Sequence, residues 1–151
     1  MKIMFVCHGN ICRSPMAEYI LKEYLKEEGI NDVYVFSRGV SSEETGNDIY
    51  PPAKRILTLN KIPLSHHSAK RVSDEDFSSS DVVYALDQSN YRALVRRFGE
   101  NKKIKMLLNH DVDDPWYSGD FALAYRDIAE GCRHIINKLK DNKRIGDDYG
   151  Y

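Results

Sequence analysis

The sequence predicts a single α/β domain built on a four-stranded parallel sheet with helices on both faces. Three observations predict it. Short apolar runs of strand character alternate with segments whose apolar residues recur at helical spacing, the pattern of a parallel sheet with right-handed crossovers. The length, 151 residues, lies near the commonest size of one domain. No internal repeat and no linker-like stretch divides the chain.

Lys2-Ile3-Met4-Phe5-Val6-Cys7 is short, apolar and closed by His8-Gly9-Asn10, so it reads as a buried strand ending in a turn. Ser14-Pro15-Met16-Ala17-Glu18 then opens a helix, because Ser can cap and Pro suits the first helical position. Met16, Tyr19, Ile20, Tyr24 and Leu25 carry that helix until Gly29 stops it. Residues 33–37 are β-rich and make a second strand. After a polar loop, Pro51-Pro52 begins a short helix bearing Ala53, Ile56, Leu57 and Leu59. Residues 81–86 read as a third strand, 89–97 as a helix and 104–108 as a fourth strand. A last long helix is expected over residues 121–140, with Ala122, Tyr125, Ile128, Cys132, Ile135, Ile136 and Leu139 on its apolar stripe. The domain is therefore expected to span residues 1–140, and the polar stretch 141–151 to be a flexible C-terminal tail.

Composition excludes several classes. With 42% hydrophobic and 30% charged residues, the chain is not a disordered one. Its 22 basic and 23 acidic residues leave a net charge of −1, which provides no broad footprint for nucleic acid and no polybasic membrane clamp. The apolar runs are far too short for a spanning helix, and residues 1–7 read as a strand rather than a targeting segment. Three cysteines are an odd, sparse count, against a secreted disulfide scaffold. The expectation is a cytoplasmic protein with free thiols.

The informative stretch is Cys7-His8-Gly9-Asn10-Ile11-Cys12-Arg13-Ser14. A parallel sheet binds ligands beyond the carboxyl ends of its strands, and Cys7 sits at such an end. Gly9 and Asn10 permit positive φ, so the backbone can curl until several N–H groups face one point. A nest of this kind at a helix N-terminus binds a tetrahedral oxyanion. Arg13 supplies a planar fork for two of that anion's oxygens, and the positive potential favours a thiolate at Cys7. Ser14 can donate a hydrogen bond to that thiolate. The set reads as an activated sulfur aimed into a phosphate cradle.

The longer string from Phe5 to Glu18, its place near the start of the chain, Asp87-Gln88-Ser89-Asn90 and Asp114-Pro115-Trp116-Tyr117 together resemble the low molecular weight protein tyrosine phosphatases. The resemblance implies hydrolysis of phosphotyrosine in proteins through a phosphocysteine intermediate, with no cofactor and no metal. It implies Cys7 as nucleophile and Arg13 as phosphate ligand, with His8, Gly9, Asn10, Ile11, Cys12 and Ser14 around the phosphate. Of the carboxylates Asp111, Asp113 and Asp114, it selects Asp114 as general acid because the family's acid immediately precedes a proline; Asp113 is the competitor. It makes Trp116 and Tyr117 a wall for the substrate ring. Asn10, Ser37 and His67 would support the loop, with His66 an alternative. Cys12 is placed to trap an oxidised Cys7 as a disulfide. Cys132 is a core thiol by its position on the helix stripe.

Two departures bear on substrates. His8 stands where relatives often have an apolar residue, and Ser41-Ser42-Glu43-Glu44-Thr45 places acid where some relatives carry an aromatic. Acid there disfavours acidic phosphopeptides. The main competing readings are a protein arginine phosphatase, against which apolar Ile11 argues, and a phosphocysteine carrier, against which Asp114 argues. Tyr149 and Tyr151 close the chain as candidate modification sites or a plain flexible terminus.

Overall fold

The computed structural model describes the backbone of residues 1–148 and the side chains of residues 1–142. Four parallel strands, β1 (Lys2–Cys7), β2 (Tyr34–Gly39), β3 (Val82–Ala85) and β4 (Ile104–Met106), lie in the order β2-β1-β3-β4. The helices are α1 (Arg13–Glu27), α2 (Pro51–Leu59), α3 (Asp74–Ser79), α4 (Gln88–Phe98), α5 (Pro115–Ser118) and α6 (Phe121–Asp148). The expected sheet and its two helical layers are present.

β1 shows why. Ile3, Phe5 and Cys7 pack on one face against Met16, Ile20, Leu57, Ile128 and Ile136 from α1, α2 and α6. Met4 and Val6 pack on the other against Phe77 of α3 and Leu94 of α4. A strand covered on both sides must be apolar at every position, which is why this run does not alternate. Each of these fully buried side chains contributes about 1.5–3 kcal/mol. β1 also lies at the switch of connection, with β2 on one side and β3 on the other, so its carboxyl end opens into a crevice.

Local chemistry explains most element ends. Gly29, at φ 67°, closes α1 with paired bonds from Gly29 N to Lys26 O and from Ile30 N to Leu25 O. Asp87 caps α4 through Asn90 N (2.7 Å). Two expectations need correction, and one helix has no counterpart among them. Ser14 does not cap α1: the helix starts at Arg13 with Cys12 at the cap position and no side-chain cap, because Ser14 is engaged elsewhere. The helix α3, too short for periodicity to reveal, is nucleated by a reciprocal Ser73–Asp76 capping box. The last helix runs to Asp148 rather than ending near Lys140, so residues 141–148 are helical; no proline or glycine interrupts 141–145, and one glycine at 146 costs only about 1 kcal/mol against Ala. Tyr149 and Tyr151 lie outside the described residues.

Candidate active site

A cavity of about 150 Å³ opens at the carboxyl end of β1, lined by Cys7, His8, Gly9, Ile11, Cys12, Arg13, Glu43, Glu44, Asp114, Trp116 and Tyr117. Three segments far apart in sequence build it. The 7–13 loop forms the floor, the 43–44 turn one wall, and the start of α5 the other.

The loop's shape depends on Asn10. It takes the left-handed conformation, φ 62°, while Gly9 does not, so one residue rather than two turns the chain. Asn10 is buried and fully engaged. Its Nδ2 donates to Ser14 Oγ (2.9 Å) and Ser37 Oγ (3.0 Å), and its Oδ1 accepts from Lys70 N (3.1 Å). His67 Nε2 lies 2.7 Å from the Asn10 carbonyl; a carbonyl only accepts, so that nitrogen carries the proton. Ser37 in turn donates to Glu18 Oε1 (2.7 Å). Of the two candidate histidines it is His67 that is buried beneath the loop, whereas His66 is exposed. Gly39 permits the close approach of β2, since a Cβ there would lie 2.7 Å from the His8 carbonyl oxygen.

Ser14 Oγ lies 3.0 Å from Cys7 Sγ. With Asn10 donating into it, its one hydrogen has two acceptors in reach, Cys7 Sγ and the Arg38 carbonyl (3.3 Å). A thiolate is the stronger acceptor of the two. The side chains of Asn10 and Ser14, expected among the groups around the phosphate, lie behind the cavity lining and act on it through the loop and the sulfur.

Arg13 is buried and held on one edge only. Its NH1 donates to Asp87 Oδ2 (2.8 Å) and the Val112 carbonyl (2.7 Å), and its NH2 makes a long contact to Asp114 Oδ2 (3.4 Å). Nε and most of NH2 remain for an oxyanion. Burial disfavours the Arg13 charge, but negative charge on Cys7, Asp114 and Asp87 overrides it and holds the pKa above its ordinary value. Burial, then the negative charge of Cys7 and Asp114, pushes the Cys12 thiol up to about 12. Cys12 is thus a neutral thiol at the lip of the loop. Cys132 is fully buried in the core cluster, as its helix stripe implies.

Asp114 Oδ1 caps α5 by accepting from Trp116 N (3.0 Å), so the proline that follows sets the first helical position and turns the carboxyl toward the cavity. Asp113 is exposed and outside the lining, and Asp111 accepts from Gln88 N (2.8 Å). Geometry therefore favours Asp114 among the three. Both Trp116 and Tyr117 line the cavity and neither is a core anchor, being 52% and 85% exposed. Trp116 leans on Tyr50, with ring centroids 4.8 Å apart. Sequence reasoning missed Asp87, Glu18, Lys70 and Tyr50 as supports. Asp87 stood in a recognised motif and could have been found there; Tyr50 carries no sequence signal. Among the described residues, no group of three His, Cys, Asp or Glu converges as a metal site, and no helix is long and apolar enough to cross a membrane.

The family model for low molecular weight phosphotyrosine protein phosphatase matches residues 2–145. The chain belongs to that family. It is 31% identical over 153 residues to the low molecular weight protein-tyrosine-phosphatase YfkJ of Bacillus subtilis, covering 95% of this chain and 98% of that protein. The crystal structure of YfkJ superposes with a TM-score of 0.90 over 95% of this chain and 96% of its own. The low molecular weight protein tyrosine phosphatase of Streptococcus pyogenes gives a TM-score of 0.85 at 32% identity, covering 91% and 92%. A Drosophila arginine phosphatase gives 0.85 at 30% identity, covering 93% and 98%. This low molecular weight phosphatase therefore shares its whole fold with enzymes of two phosphoryl specificities.

Proposed function

We propose that the chain hydrolyses phosphotyrosine in proteins through a cysteinyl-phosphate intermediate. The observation that carries this reading is the convergence of Cys7 Sγ, the free edge of Arg13 and the Asp114 carboxyl on one cavity walled by Trp116 and Tyr117. The phosphoryl dianion seats on the loop N–H groups and on Nε and NH2 of Arg13, which stabilise its equatorial oxygens. Cys7 thiolate attacks phosphorus, the P–O bond to the phenol breaks, and Asp114 gives its proton to the departing oxygen. Asp114, now a carboxylate, takes a proton from water as that water attacks phospho-Cys7. The P–S bond breaks, inorganic phosphate leaves, and the Ser14 hydroxyl receives the thiolate again. Three unpaired buried thiols suit a reducing compartment such as the cytoplasm.

The second reading, phosphoarginine hydrolysis, draws support from the Drosophila neighbour. Against it, Ile11 brings only an aliphatic side chain to the cavity, with no hydroxyl for a guanidinium. A carrier that passes phosphate between proteins has no use for Asp114 beside the cradle. The test is phosphate release from matched phosphotyrosine and phosphoarginine peptides with chelator present. Faster release from phosphotyrosine is expected. Preference for phosphoarginine overturns the substrate class, and release from neither favours the carrier. Cys7→Ser should lose turnover while still binding phosphate; near-normal hydrolysis by that variant rejects the mechanism.

A further inference from the structure

The cavity mouth carries charge that the chemistry does not use. Glu43 and Glu44 line the same cavity as Cys7, Trp116 and Tyr117. Their turn is a built feature rather than a loose loop. Glu43 N donates to Ser41 Oγ (3.0 Å), Thr45 Oγ1 to the Ser42 carbonyl (2.8 Å) and Asn47 N to the Glu44 carbonyl (2.9 Å). The turn is then tied to the segment after His67 by Gly46 N to Ala69 O (2.9 Å) and Ala69 N to Asn47 O (2.8 Å). Asn47 Nδ2 holds the Glu44 carboxylate (2.7 Å), and the stem of Glu44 lies over the nucleophile loop, its Cγ 3.2 Å from where a Cβ on Gly9 would be. Glu43 faces His8, Oε2 to Nε2 at 3.5 Å, with both side chains mostly in solvent.

Among the described residues, the only lysine or arginine in this lining is Arg13, which is buried at the floor and held on one edge by Asp87, Val112 and Asp114. The floor accepts a phosphoryl dianion, whereas the rim presents two carboxylates, Glu44 held by Asn47 and Glu43 in solvent, to whatever surrounds it. Residues next to the phosphorylated one pass this rim, because one or two residues of extended chain span about 3.5–7 Å. An acidic neighbour meets like charge in water-exposed surroundings; a Lys or Arg there meets its complement.

Resting on the phosphotyrosine reading above, we propose that Glu43 and Glu44 are specificity-determining residues that select phosphotyrosine flanked by lysine or arginine and reject sites with acidic flanks. His8 is the switchable partner: a cationic flank displaces it from Glu43 and takes the carboxylate.

The test is kcat/KM on phosphotyrosine peptides that differ only in carrying Arg or Asp at the two positions on each side. Exposed charge pairs of this kind make the wild-type ratio, Arg peptide over Asp peptide, roughly 3- to 10-fold at low salt. The ratio should shrink toward unity near 1 M salt, where screening acts within about 3 Å. It should fall toward unity in Glu43→Gln/Glu44→Gln and invert in Glu43→Lys/Glu44→Lys. Because the readout is a ratio within each variant, partial loss of folded protein does not distort it. A wild-type ratio of one, or a ratio untouched by the double substitution, overturns the assignment while leaving the phosphatase reading intact. Hydrolysis of none of the phosphotyrosine peptides overturns the reading beneath it instead.

Discussion

Asn10 is the position at which backbone and side-chain effects can be separated by two substitutions. Asn10→Gly removes the bonds to Ser14, Ser37 and Lys70 but tolerates φ 62°. At about 0.5–1.5 kcal/mol net for each buried bond, the loss is about 1.5–4.5 kcal/mol. Asn10→Ala loses the same three bonds and in addition meets the left-handed conformation, at about 1–2 kcal/mol. Glycine offsets part of that advantage by loosening the unfolded chain, about 0.4–1 kcal/mol. Asn10→Gly should therefore be the more stable of the two by about 1 kcal/mol, although alanine is ordinarily the stabilising choice. Urea unfolding of both variants beside the wild type, without phosphate, measures this directly; bound anion would stabilise the fold and mask the difference. Both variants should also lose kcat/KM on an aryl phosphate, since Ser14 is freed from Asn10 and the loop loses its anchor to Ser37. If Ala equals or exceeds Gly in stability, the conformational argument is wrong. Two variants within about 0.5 kcal/mol of wild type would mean the network does not hold the loop.

Asp114→Asn should lower kcat by about 10²- to 10⁴-fold for phenols of high pKa and far less for good leaving groups; equal slowing across a leaving-group series removes the acid role. Alkaline pH should destabilise the fold through Cys12. Its thiol stands at about 12 when folded against an ordinary 9.0, so the stabilising effect is complete below pH 9 and is lost as pH rises toward 12. Cys12→Ala should flatten the fall in urea midpoint between pH 8 and 10.5, and an unchanged fall in that variant counts against the assignment. At the acid end, burial opposes the charge on Asp76 but bonds from Ser73 and Arg38 prevail and lower its pKa. Its stabilisation is therefore present above the ordinary 3.8 and lost as pH falls below it. Asp76→Asn should lower stability at pH 7 and make the acid limb shallower, which thermal unfolding from pH 7 to 3 would reveal.

Much of the molecule was legible from contiguous residues. The buried strand β1, the Pro-led helix α2, the Gly29 stop of α1 and the Cys7–Arg13 loop all rest on interactions within a few positions. Asp114 was singled out from Asp111 and Asp113 by the family resemblance, and the structure adds that its carboxyl caps α5 beside the cavity. Ser14 shows where such reasoning fails: two local roles were open to it, cap or sulfur partner, and the sequence holds no term that ranks them. The structure ranks them because Asn10 and Cys7 reach its hydroxyl from across the loop.

What tertiary packing decided is partnership over long separations. Arg13 is oriented by Asp87, Val112 and Asp114, which are 74, 99 and 101 positions away. Asn10 is held by Ser37, His67 and Lys70, and Trp116 leans on Tyr50. Glu43 and Glu44 face the nucleophile only because β2 ends beside β1, with Gly39 opposite Cys7. Local pattern specifies what each segment becomes, since capping, periodicity and turn preferences act through neighbours in the chain. Which side chains meet at the site follows from sheet order and register, and those are set by burial summed over the whole domain.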